Sequence, residues 1–374
     1  MRRTILLAIV AATVLAGCAT PSTLRPGVSS VAAELEAKTQ RELALRAYFD
    51  ENQRLQRVAY RILTRSVPLC GERVSYTIGM RATNNLELQD GWRDAAREAL
   101  GITDLMQITF IAPQSPAQAA GLRVGDVLES IAGWSVPVGE SAAEQTREQL
   151  AKSLMSGQPL SIQVRRSGEA RAFTVTPVQT CAFDVVLDPS DIKNAYADGD
   201  RIVMHKGMME FLRTDEEVAF IVSHELAHNA MGHIDSKKTN VIAGGAAGLL
   251  VDVLAAAAGV NTGGQFTELG AMAGAGAYSV EFEQEADYVG LYYMALAGFD
   301  IRESANFWRR IAIQSPQSIE HKSTHPTSPE RFVAIAKTVK EIATKRSSGE
   351  PLQPNMEVKP KASTVPGADE QVDR

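Results

Sequence analysis

Two histidines four residues apart, His224 and His228, constrain the fold of this chain more than any other feature of its sequence. Residues four apart on an α-helix lie about 40° apart around the axis and about 6 Å along it, so both imidazoles face one side. Such a face can offer two neutral nitrogens to one metal ion at about 2.0–2.1 Å. Glu225 follows the first histidine directly, where it lies beside the ion and can act as a base toward water. The pattern predicts a helix that carries two metal ligands and a general base.

The signals that begin and end this helix surround the two histidines. Thr214 and Glu217 form a capping box, which satisfies free backbone N–H groups of a first helical turn. Apolar residues recur after it at helical spacing, and Gly232 is a natural stop. His233 follows that glycine, five residues past the second ligand, so the spacing turns its side chain off the helix face. A strand is predicted before the helix, over residues 201–205.

The third metal ligand has to come from another part of the chain, because a catalytic zinc site takes three protein ligands and keeps a fourth position open. Residues 281–287 open a second amphipathic helix with four acidic side chains, Glu281, Glu283, Glu285 and Asp287. One of these carboxylates is a candidate ligand. The alternative is a solvated acidic first turn, which the helix dipole favours.

Four segments together resemble metallopeptidase family 48, which includes HtpX and the CAAX prenyl protease. They are residues 224–228, 283–287, 297–300 and 323–326, in the order in which the family carries them. The resemblance implies one zinc ion, with Glu283 as the third ligand after His224 and His228. It also implies that Asp287, one turn later, hydrogen-bonds a ligand histidine and fixes its tautomer.

His325 lies in a proline-rich turn outside the predicted helices. In relatives that this chain resembles, a histidine in this setting approaches the metal as a fourth ligand that plugs the site, or stabilises the oxyanion. We therefore expect two catalytic side chains, Glu225 and His325. The alternative for His325 is a turn histidine with only a structural hydrogen bond. Arg331 is a further candidate partner in the same region.

Residues 70–181 have a different texture, with short β-rich runs between proline and glycine turns. The runs are residues 107–112, 161–165 and 172–178, with one helix over residues 143–155. Residues 115–128 resemble the signature of bacterial PDZ domains, in which glycines allow the positive φ angles of a sharp helix-to-strand turn. The resemblance implies a PDZ-like domain that binds an extended peptide as an added strand. A degenerate domain that only packs against its neighbour is the alternative.

The first 18 residues have the pattern of a targeting segment. Two arginines precede an apolar run over residues 5–14, which is too short to span a bilayer comfortably. Residues 15–18 resemble a bacterial lipobox, which implies cleavage before Cys18 and acylation of that cysteine. Several acyl chains on one residue hold a protein on a membrane. An ordinary secretory signal with a chance cysteine is the alternative.

The other two cysteines, Cys70 and Cys181, remain as an even pair if Cys18 is lipidated. They flank the PDZ-like segment in what would be an oxidising compartment, so we expect a disulfide that closes this segment. The alternative is two unpaired buried thiols.

The whole chain is predicted to be an α+β protein in five parts. They are a lipoprotein signal (1–18), a linker and long helix (19–69), the PDZ-like domain (70–181), a mainly helical zinc metallopeptidase domain with a small sheet (182–345) and a disordered tail (346–374). Apolar residues at helical spacing place the long helix at 29–65. Residues 241–260 include Asp252 and several glycines, so we expect a buried or interface-seeking helix there rather than a membrane span. Residues 201–204 are expected to form a sheet edge on which substrate lies.

These expectations combine into one function, a zinc-dependent endopeptidase that removes misfolded or unassembled envelope proteins. The lipobox places it as a lipoprotein on the periplasmic side of a bacterial envelope, with the outer membrane favoured. A net charge of −6 gives no basic face and so no support for nucleic acid as a partner. The alternative is a lipid-anchored, zinc-bound chaperone or binding protein whose protease site is silent because His325 occupies the open metal position.

Overall fold

The computed structural model describes residues 23, 26–257, 260–276, 279–314, 325 and 329–356. Its helices are α1 (Ser30–Arg65), α2 (Asp90–Leu100), α3 (Pro116–Ala120), α4 (Ala142–Leu154), α5 (Lys206–Phe211), α6 (Asp215–Ala230), α7 (His233–Ala257), α8 (Gln265–Gly276), α9 (Ser279–Leu296), α10 (Ser304–Gln314) and α11 (Pro329–Ser348). Its strands are β1 (Val74–Thr77), β2 (Met80–Thr83), β3 (Gln107–Ile111), β4 (Val127–Ile131), β5 (Trp134–Ser135), β6 (Leu160–Arg166), β7 (Glu169–Val175), β8 (Val178–Cys181), β9 (Asp184–Asp188), β10 (Ala195–Ala197) and β11 (Arg201–His205). The predicted α+β class is confirmed, since a β-rich part and a mainly helical part follow a long N-terminal helix.

The long helix α1 matches its predicted span and connects both parts of the molecule. Its hydroxyl cap is Ser29, whose Oγ accepts a hydrogen bond from the backbone N–H of Ala32. The middle of α1 packs with α2 through Leu45. Its C-terminal half is buried in the core of the helical part, where Leu55 and Ile62 are fully covered. The helix is therefore a packing element of the catalytic half of the chain.

The β-rich part is a sheet in the order β2-β3-β4-β6-β7, with β5 paired to β4 and a core of its own. The predicted turn after α3 is present, because Ser115 caps this short helix and Gly121 ends it at φ 93°. The predicted run over 172–178 is divided between two strands. Its start belongs to β7, whereas its last residue begins β8, which leaves this sheet to pair with β1.

The predicted disulfide between Cys70 and Cys181 is present, with the two Cα atoms 5.7 Å apart. It lies beside the two-stranded β1–β8 pairing, in which Cys181 is opposite Val74. The first and last residues of the β-rich part are therefore tied together at the point where the chain enters the helical part.

The helical part has a small sheet in the order β10-β11-β9, and here one prediction was wrong. The strand predicted as a substrate-binding edge is the central strand β11. Its one side pairs antiparallel with β10 and its other side pairs parallel with β9. Side chains from α1 cover the far side of β9, where Gln56 donates a hydrogen bond to the carbonyl oxygen of Val185. The open edge in the described part of this sheet is therefore β10.

The helix expected over 241–260 is part of α7, which forms a hairpin with α8. It seeks an interface rather than a core, because most of its apolar side chains face outward, with Ile242 72% exposed and Leu254 70% exposed. The two helices approach each other closely at Gly248, where an added Cβ would lie 1.9 Å from the carbonyl oxygen of Phe266. The reading as a buried helix was therefore wrong.

The C-terminal helix α11 extends into the segment predicted to be a disordered tail. The Arg346 guanidinium donates a hydrogen bond to the carbonyl oxygen of Ala295, and the backbone N–H of Asn355 donates one to the hydroxyl of Tyr288. Residues 346–356 are thus part of the fold. Residues 357–374 and the predicted lipobox with Cys18 lie outside the described residues.

Candidate metal centre

Helix α6 places the two predicted ligand histidines and Glu225 in the interior of the helical part. Its cap is the predicted one, since the hydroxyl of Thr214 accepts a hydrogen bond from the backbone N–H of Glu217. Side chains of His224, Glu225 and His228 are all at most 2% exposed. A helix carrying three polar residues at such depth needs partners for each of them, because unpaired buried polar groups are costly.

The partners come chiefly from α9, which crosses α6 at close range. Gly290 makes the approach possible: an added Cβ there would lie 3.2 Å from the backbone nitrogen of His224. The crossing brings Glu283, from the first turns of α9, onto the two histidine rings. Its Oε2 lies 3.3 Å from Nε2 of His224, and its Oε1 lies 3.3 Å from Nε2 of His228.

These atoms have the spacing of ligands around one small ion. The Nε2 atoms of His224 and His228 are 3.2 Å apart, and Nδ1 of His325 lies 3.4 Å from Nε2 of His224. The three histidines and Glu283 offer four ligand atoms that all lie within 4.8 Å of one another. A tetrahedral zinc site with bonds of about 2.0–2.1 Å has ligand–ligand edges of about 3.3 Å. The observed separations of 3.2–3.4 Å fit that geometry.

The donor set also leaves an acceptor atom that an ion would satisfy. Oε1 of Glu283 is buried and has no hydrogen-bond partner among the residues that the structure describes. It lies 3.3 Å from Nε2 of His228. Although burial opposes ionisation, His325 and the two histidines of α6 hold the pKa of Glu283 well below its usual range. An ionised carboxylate between imidazoles has the chemistry of a metal ligand.

The ring of His224 is supported from behind by an acidic and a basic side chain. Its Nδ1 lies 3.0 Å from Oδ1 of Asp287, which was predicted to hold a ligand histidine. Arg331 donates two hydrogen bonds to Asp287, at 2.7 and 2.9 Å, and its Nη1 lies 3.0 Å from Oε2 of Glu283. Burial alone would lower the pKa of His224, but Asp287 and Glu283 raise it to about 9.

The ring of His228 has a different support, which sequence reasoning missed. Its Nδ1 lies 2.9 Å from Nδ1 of His233, and Nε2 of His233 lies 2.9 Å from Oε2 of Glu285. Gly232, at φ 70°, ends α6 and redirects the chain, so the side chain of His233 comes back beneath the cluster. Burial lowers the pKa of His228 to about 4, and the nearby His224 ring adds to this effect.

His325 reaches the cluster from the segment between α10 and α11. Its Nδ1 lies 2.9 Å from Oε2 of Glu283, and its Nε2 lies 3.6 Å from Oε1 of Glu225. The side chain is 19% exposed, more than the other members of the cluster. The structure therefore gathers every predicted site residue of the metallopeptidase domain at one point: His224, Glu225, His228, Glu283, Asp287 and His325.

Comparison with known families decides the identity of this domain. Peptidase family M48 matches residues 145–339, which is more than half of the chain. The chain belongs to peptidase family M48. The match starts inside the β-rich part, within α4, and extends through all the ligand-bearing helices into α11. The resemblance inferred from the four sequence segments is thereby confirmed.

Curated relatives of this M48 protein come from mitochondria and from bacteria. It is 29% identical over 171 residues to the mitochondrial metalloendopeptidase OMA1 of Schizosaccharomyces pombe, covering 44% of this chain and 49% of the relative. It is 26% identical over 160 residues to the beta-barrel assembly-enhancing protease of Yersinia pestis, covering 40% of this chain and 33% of the relative. The chain thus spans half or less of the length of these relatives.

Solved structures that resemble the M48 protein come from HtrA-type proteins, and one of them is a PDZ domain. The HtrA3 PDZ domain bound to a phage-derived ligand is 20% identical, with 28% of this chain and 88% of that chain covered and a TM-score of 0.21. The HtrA-type protease AlgW with a decapeptide is 21% identical, with 28% and 30% covered and a TM-score of 0.21. Scores at this level do not by themselves establish a fold for the β-rich part.

Proposed function

We propose that this protein is a zinc-dependent endopeptidase that holds one zinc ion with His224, His228 and Glu283. The observation that carries the proposal is the meeting of these three donors, buried, beside the carboxylate of Glu225. Two imidazoles and one carboxylate are a ligand set of catalytic zinc sites. A structural site would also have no use for a base at position 225.

Cleavage of a peptide bond by this set of residues assigns a separate task to each. A zinc ion at the site supplies a Lewis acid for the scissile carbonyl and lowers the pKa of water toward about 7. Glu225 accepts a proton from the attacking water as the new C–O bond forms, and gives it to the leaving amine as the C–N bond breaks. Asp287 and Arg331 keep the His224 ring in place and hold its proton on Nδ1.

His325 holds the fourth position in the resting state of the proposed enzyme. Its contacts with Glu283 and His224 support this role as a plug rather than as an oxyanion donor, since its Nδ1 lies among the other donor atoms. Its greater exposure and its position outside any helix are consistent with withdrawal when a substrate arrives. Activity would then be low until the His325 ring leaves the cluster.

The substrate in this proposal is an extended polypeptide that adds to β10. This strand is the open edge of the three-stranded sheet, and Tyr196 on it is 40% exposed. Asn229, near the end of α6, connects this helix to the turn between β10 and β11. Its Oδ1 accepts a hydrogen bond from the backbone N–H of Gly199, and its Nδ2 donates one to the carbonyl oxygen of Arg201. Backbone pairing at such an edge is tolerant of sequence, which suits damaged or unassembled proteins.

The proposed setting is the periplasmic side of a bacterial envelope. The name of the Yersinia pestis relative, beta-barrel assembly-enhancing protease, supports envelope proteins as substrates. The lipobox ending at Cys18 supports a lipid anchor, with the outer membrane favoured, and the Cys70–Cys181 disulfide suits an oxidising compartment. The PDZ-like domain would recruit substrates or hold the protease shut.

The test uses the chain from residue 19 onward, which keeps every described residue. Wild type is expected to bind one zinc ion per chain and to cleave casein. Glu225→Gln is expected to keep zinc and to lose about 10²–10⁴-fold in kcat/KM, the usual contribution of a general base. Glu216→Gln makes the same change on an exposed turn of α6 and should leave both properties intact. A chain that binds no zinc, or a Glu225→Gln variant that cleaves normally, refutes the proposal.

A zinc-bound chaperone with a silent protease site is the second candidate, and the position of His325 in the cluster is the observation that favours it. His325→Ala separates the two functions. A protease should cleave casein faster in this variant, because the fourth position is open to water. A chaperone should show no cleavage in wild type, in His325→Ala or in Glu225→Gln, while all three suppress the aggregation of an unfolded protein equally.

A further inference from the structure

The hairpin formed by α7 and α8 presents an apolar surface that the proposed protease function does not use. It includes Ile242, Leu250 and Leu254 on α7 and Phe266, Leu269 and Met272 on α8, which are between 42% and 72% exposed. Surfaces of this kind on a soluble protein mark contact with a membrane or another macromolecule. The hairpin lies in the chain directly between the two helices that carry the metal ligands.

Two ordinary explanations for such an apolar helix do not apply to α7. Its length and composition are sufficient to cross a membrane, but buried core helices and signal sequences share these properties. A core helix would be mostly buried, whereas 11% of the most apolar stretch of α7 is buried. A signal sequence would stand at the N-terminus, whereas α7 starts at His233.

The distribution of apolar side chains around α7 indicates which partner covers them. At 100° per residue, the exposed residues Leu249, Leu250, Val251, Val253 and Leu254 spread over about 200° of its circumference. A helix that docks on one protein surface needs a single apolar stripe about 100° wide. Apolar groups on all sides except the seam with α8 fit a surrounding solvent of acyl chains better than one protein partner.

The carboxylate of Asp252 is hydrogen-bonded within the hairpin, as a lipid environment requires of a polar group. Asp252 is the single charged residue of the sequence between Lys238 and Glu268. Its carboxylate accepts hydrogen bonds from the hydroxyls of Thr262 and Thr267 and from two backbone N–H groups at the start of α8. Glycines at the seam, such as Gly248, allow the close packing that is typical of helices in bilayers.

We propose that this hairpin inserts its apolar sides into one leaflet of a lipid bilayer. α7 follows α6 and α8 precedes α9, and because α6 and α9 pack closely on each other, the hairpin would enter and leave the bilayer on the same side. The described part of α8, 12 residues, extends about 18 Å at 1.5 Å per residue, close to the half-thickness of a hydrocarbon core about 30 Å across. Because α6 and α9 are joined to the hairpin, insertion would hold the metal centre next to the membrane surface.

The experiment measures flotation with vesicles, using the chain from residue 19 so that no acyl group contributes. Vesicles of phosphatidylcholine alone and of phosphatidylethanolamine with phosphatidylglycerol are both used. Wild type is expected to float with both kinds. Leu250→Glu/Leu254→Glu is expected to bind at least about tenfold more weakly, because charged side chains partition poorly into acyl chains. Both positions are exposed, so the fold and the zinc content should not change.

The matched control is Leu35→Glu/Leu43→Glu, which makes the same two changes at exposed leucines of α1 and should float like wild type. Wild type that stays in solution, or a hairpin variant that floats as well as wild type, overturns the proposal. Flotation with anionic vesicles alone would show surface attraction rather than insertion and would overturn it too. A wild-type dimer that becomes monomeric in the hairpin variant without any flotation would assign the surface to a second copy instead. Casein cleavage is measured separately, so failure here leaves the peptidase proposal intact.

Discussion

The two histidines of α6 lie one turn apart and reach the same point, yet their rings are supported in opposite ways. The second nitrogen of His224 faces the carboxylate of Asp287, which is itself held by Arg331 in a fully buried pair. The second nitrogen of His228 faces another imidazole, His233, which passes the contact on to Glu285 near the surface. In the metal-free chain this difference separates their pKa values, to about 9 for His224 and about 4 for His228.

The comparison shows two solutions to one requirement of metal binding. A histidine that binds metal through Nε2 must carry its proton on Nδ1 and needs an acceptor for it. Asp287 is a charged acceptor for His224. For His228 the neighbouring group is the imidazole of His233, whose Nδ1 lies 2.9 Å from Nδ1 of His228 and whose Nε2 lies 2.9 Å from Oε2 of Glu285. The support of His224 is rigid and charged, whereas the support of His228 depends on the half-exposed carboxylate of Glu285.

The largest difference between the two supports is expected from Asp287→Asn. The change weakens the support of His224 and leaves Arg331 buried beside an uncharged amide. Zinc affinity is expected to fall about 10–100-fold, and the free energy of unfolding by about 3–5 kcal/mol, as for loss of one partner of a buried ion pair. Chelator competition and urea denaturation measure the two quantities.

Asp300→Asn is the control for this variant, because it breaks an exposed pair between an aspartate and an arginine, Asp300 with Arg302. Such a pair contributes at most about 1 kcal/mol, and zinc affinity should not change. Equal losses of stability in both variants would contradict the view that the support of His224 is a buried ion pair.

A smaller effect is expected when the support of His228 is removed. His233→Phe keeps a ring that stacks on Phe282, 4.6 Å away, and deletes both hydrogen bonds. Zinc affinity should fall about tenfold, at the lower end of the range for residues behind a metal ligand, with little loss of stability. Glu285→Gln should lower zinc affinity by less than His233→Phe does. Glu281→Gln, at an exposed site on the same helix, should leave zinc affinity unchanged. If His233→Phe costs more zinc affinity than Asp287→Asn, the order of the two supports is reversed.

The same contrast marks how far the sequence alone could predict the site. Asp287 was expected, because the family resemblance assigns a role to its position. His233 was set aside, because its spacing from His228 turns it off the helix. The spacing argument holds only for an unbroken helix, and the left-handed conformation of Gly232 redirects the chain. The sequence did carry a signal that the His233 side chain could turn back to the cluster, namely the glycine that ends the helix close to a ligand histidine.

Predictions of elements succeeded where local chemistry decides them and failed where tertiary partners do. The capped helix α6, the long helix α1 and the Cys70–Cys181 disulfide were all predicted. The strand β11 was placed at an edge because its partner β10 has three residues and no alternation that a sequence could reveal. For α7 the sequence left two alternatives, a buried or an interface-seeking helix, since an apolar composition suits a core and an exposed interface equally.

The remaining prediction concerns pH and follows from the separate pKa values of the two rings. Below pH 9 the ring of His224 carries a proton that zinc must displace, whereas His228 is already neutral above pH 4. Zinc affinity should therefore rise about tenfold per pH unit between pH 7 and 9 and then level off. Chelator competition across this range measures the slope. Asp287→Asn removes a charge that raises the pKa of His224, so its curve should level off at a lower pH.

Stability of the metal-free chain should show the opposite trend over the same range. The folded pKa of His224 lies above its ordinary value of 6.5, so the stabilising charge is fully present below about pH 6.5. That contribution is lost as the pH rises through about 9. Urea denaturation of the metal-free chain should therefore show declining stability from pH 6.5 to 9, and zinc-loaded protein should not. A metal-free chain whose stability is constant over this range would mean that the two histidines titrate alike. The different groups behind the two rings would then have no effect on the pKa values of His224 and His228.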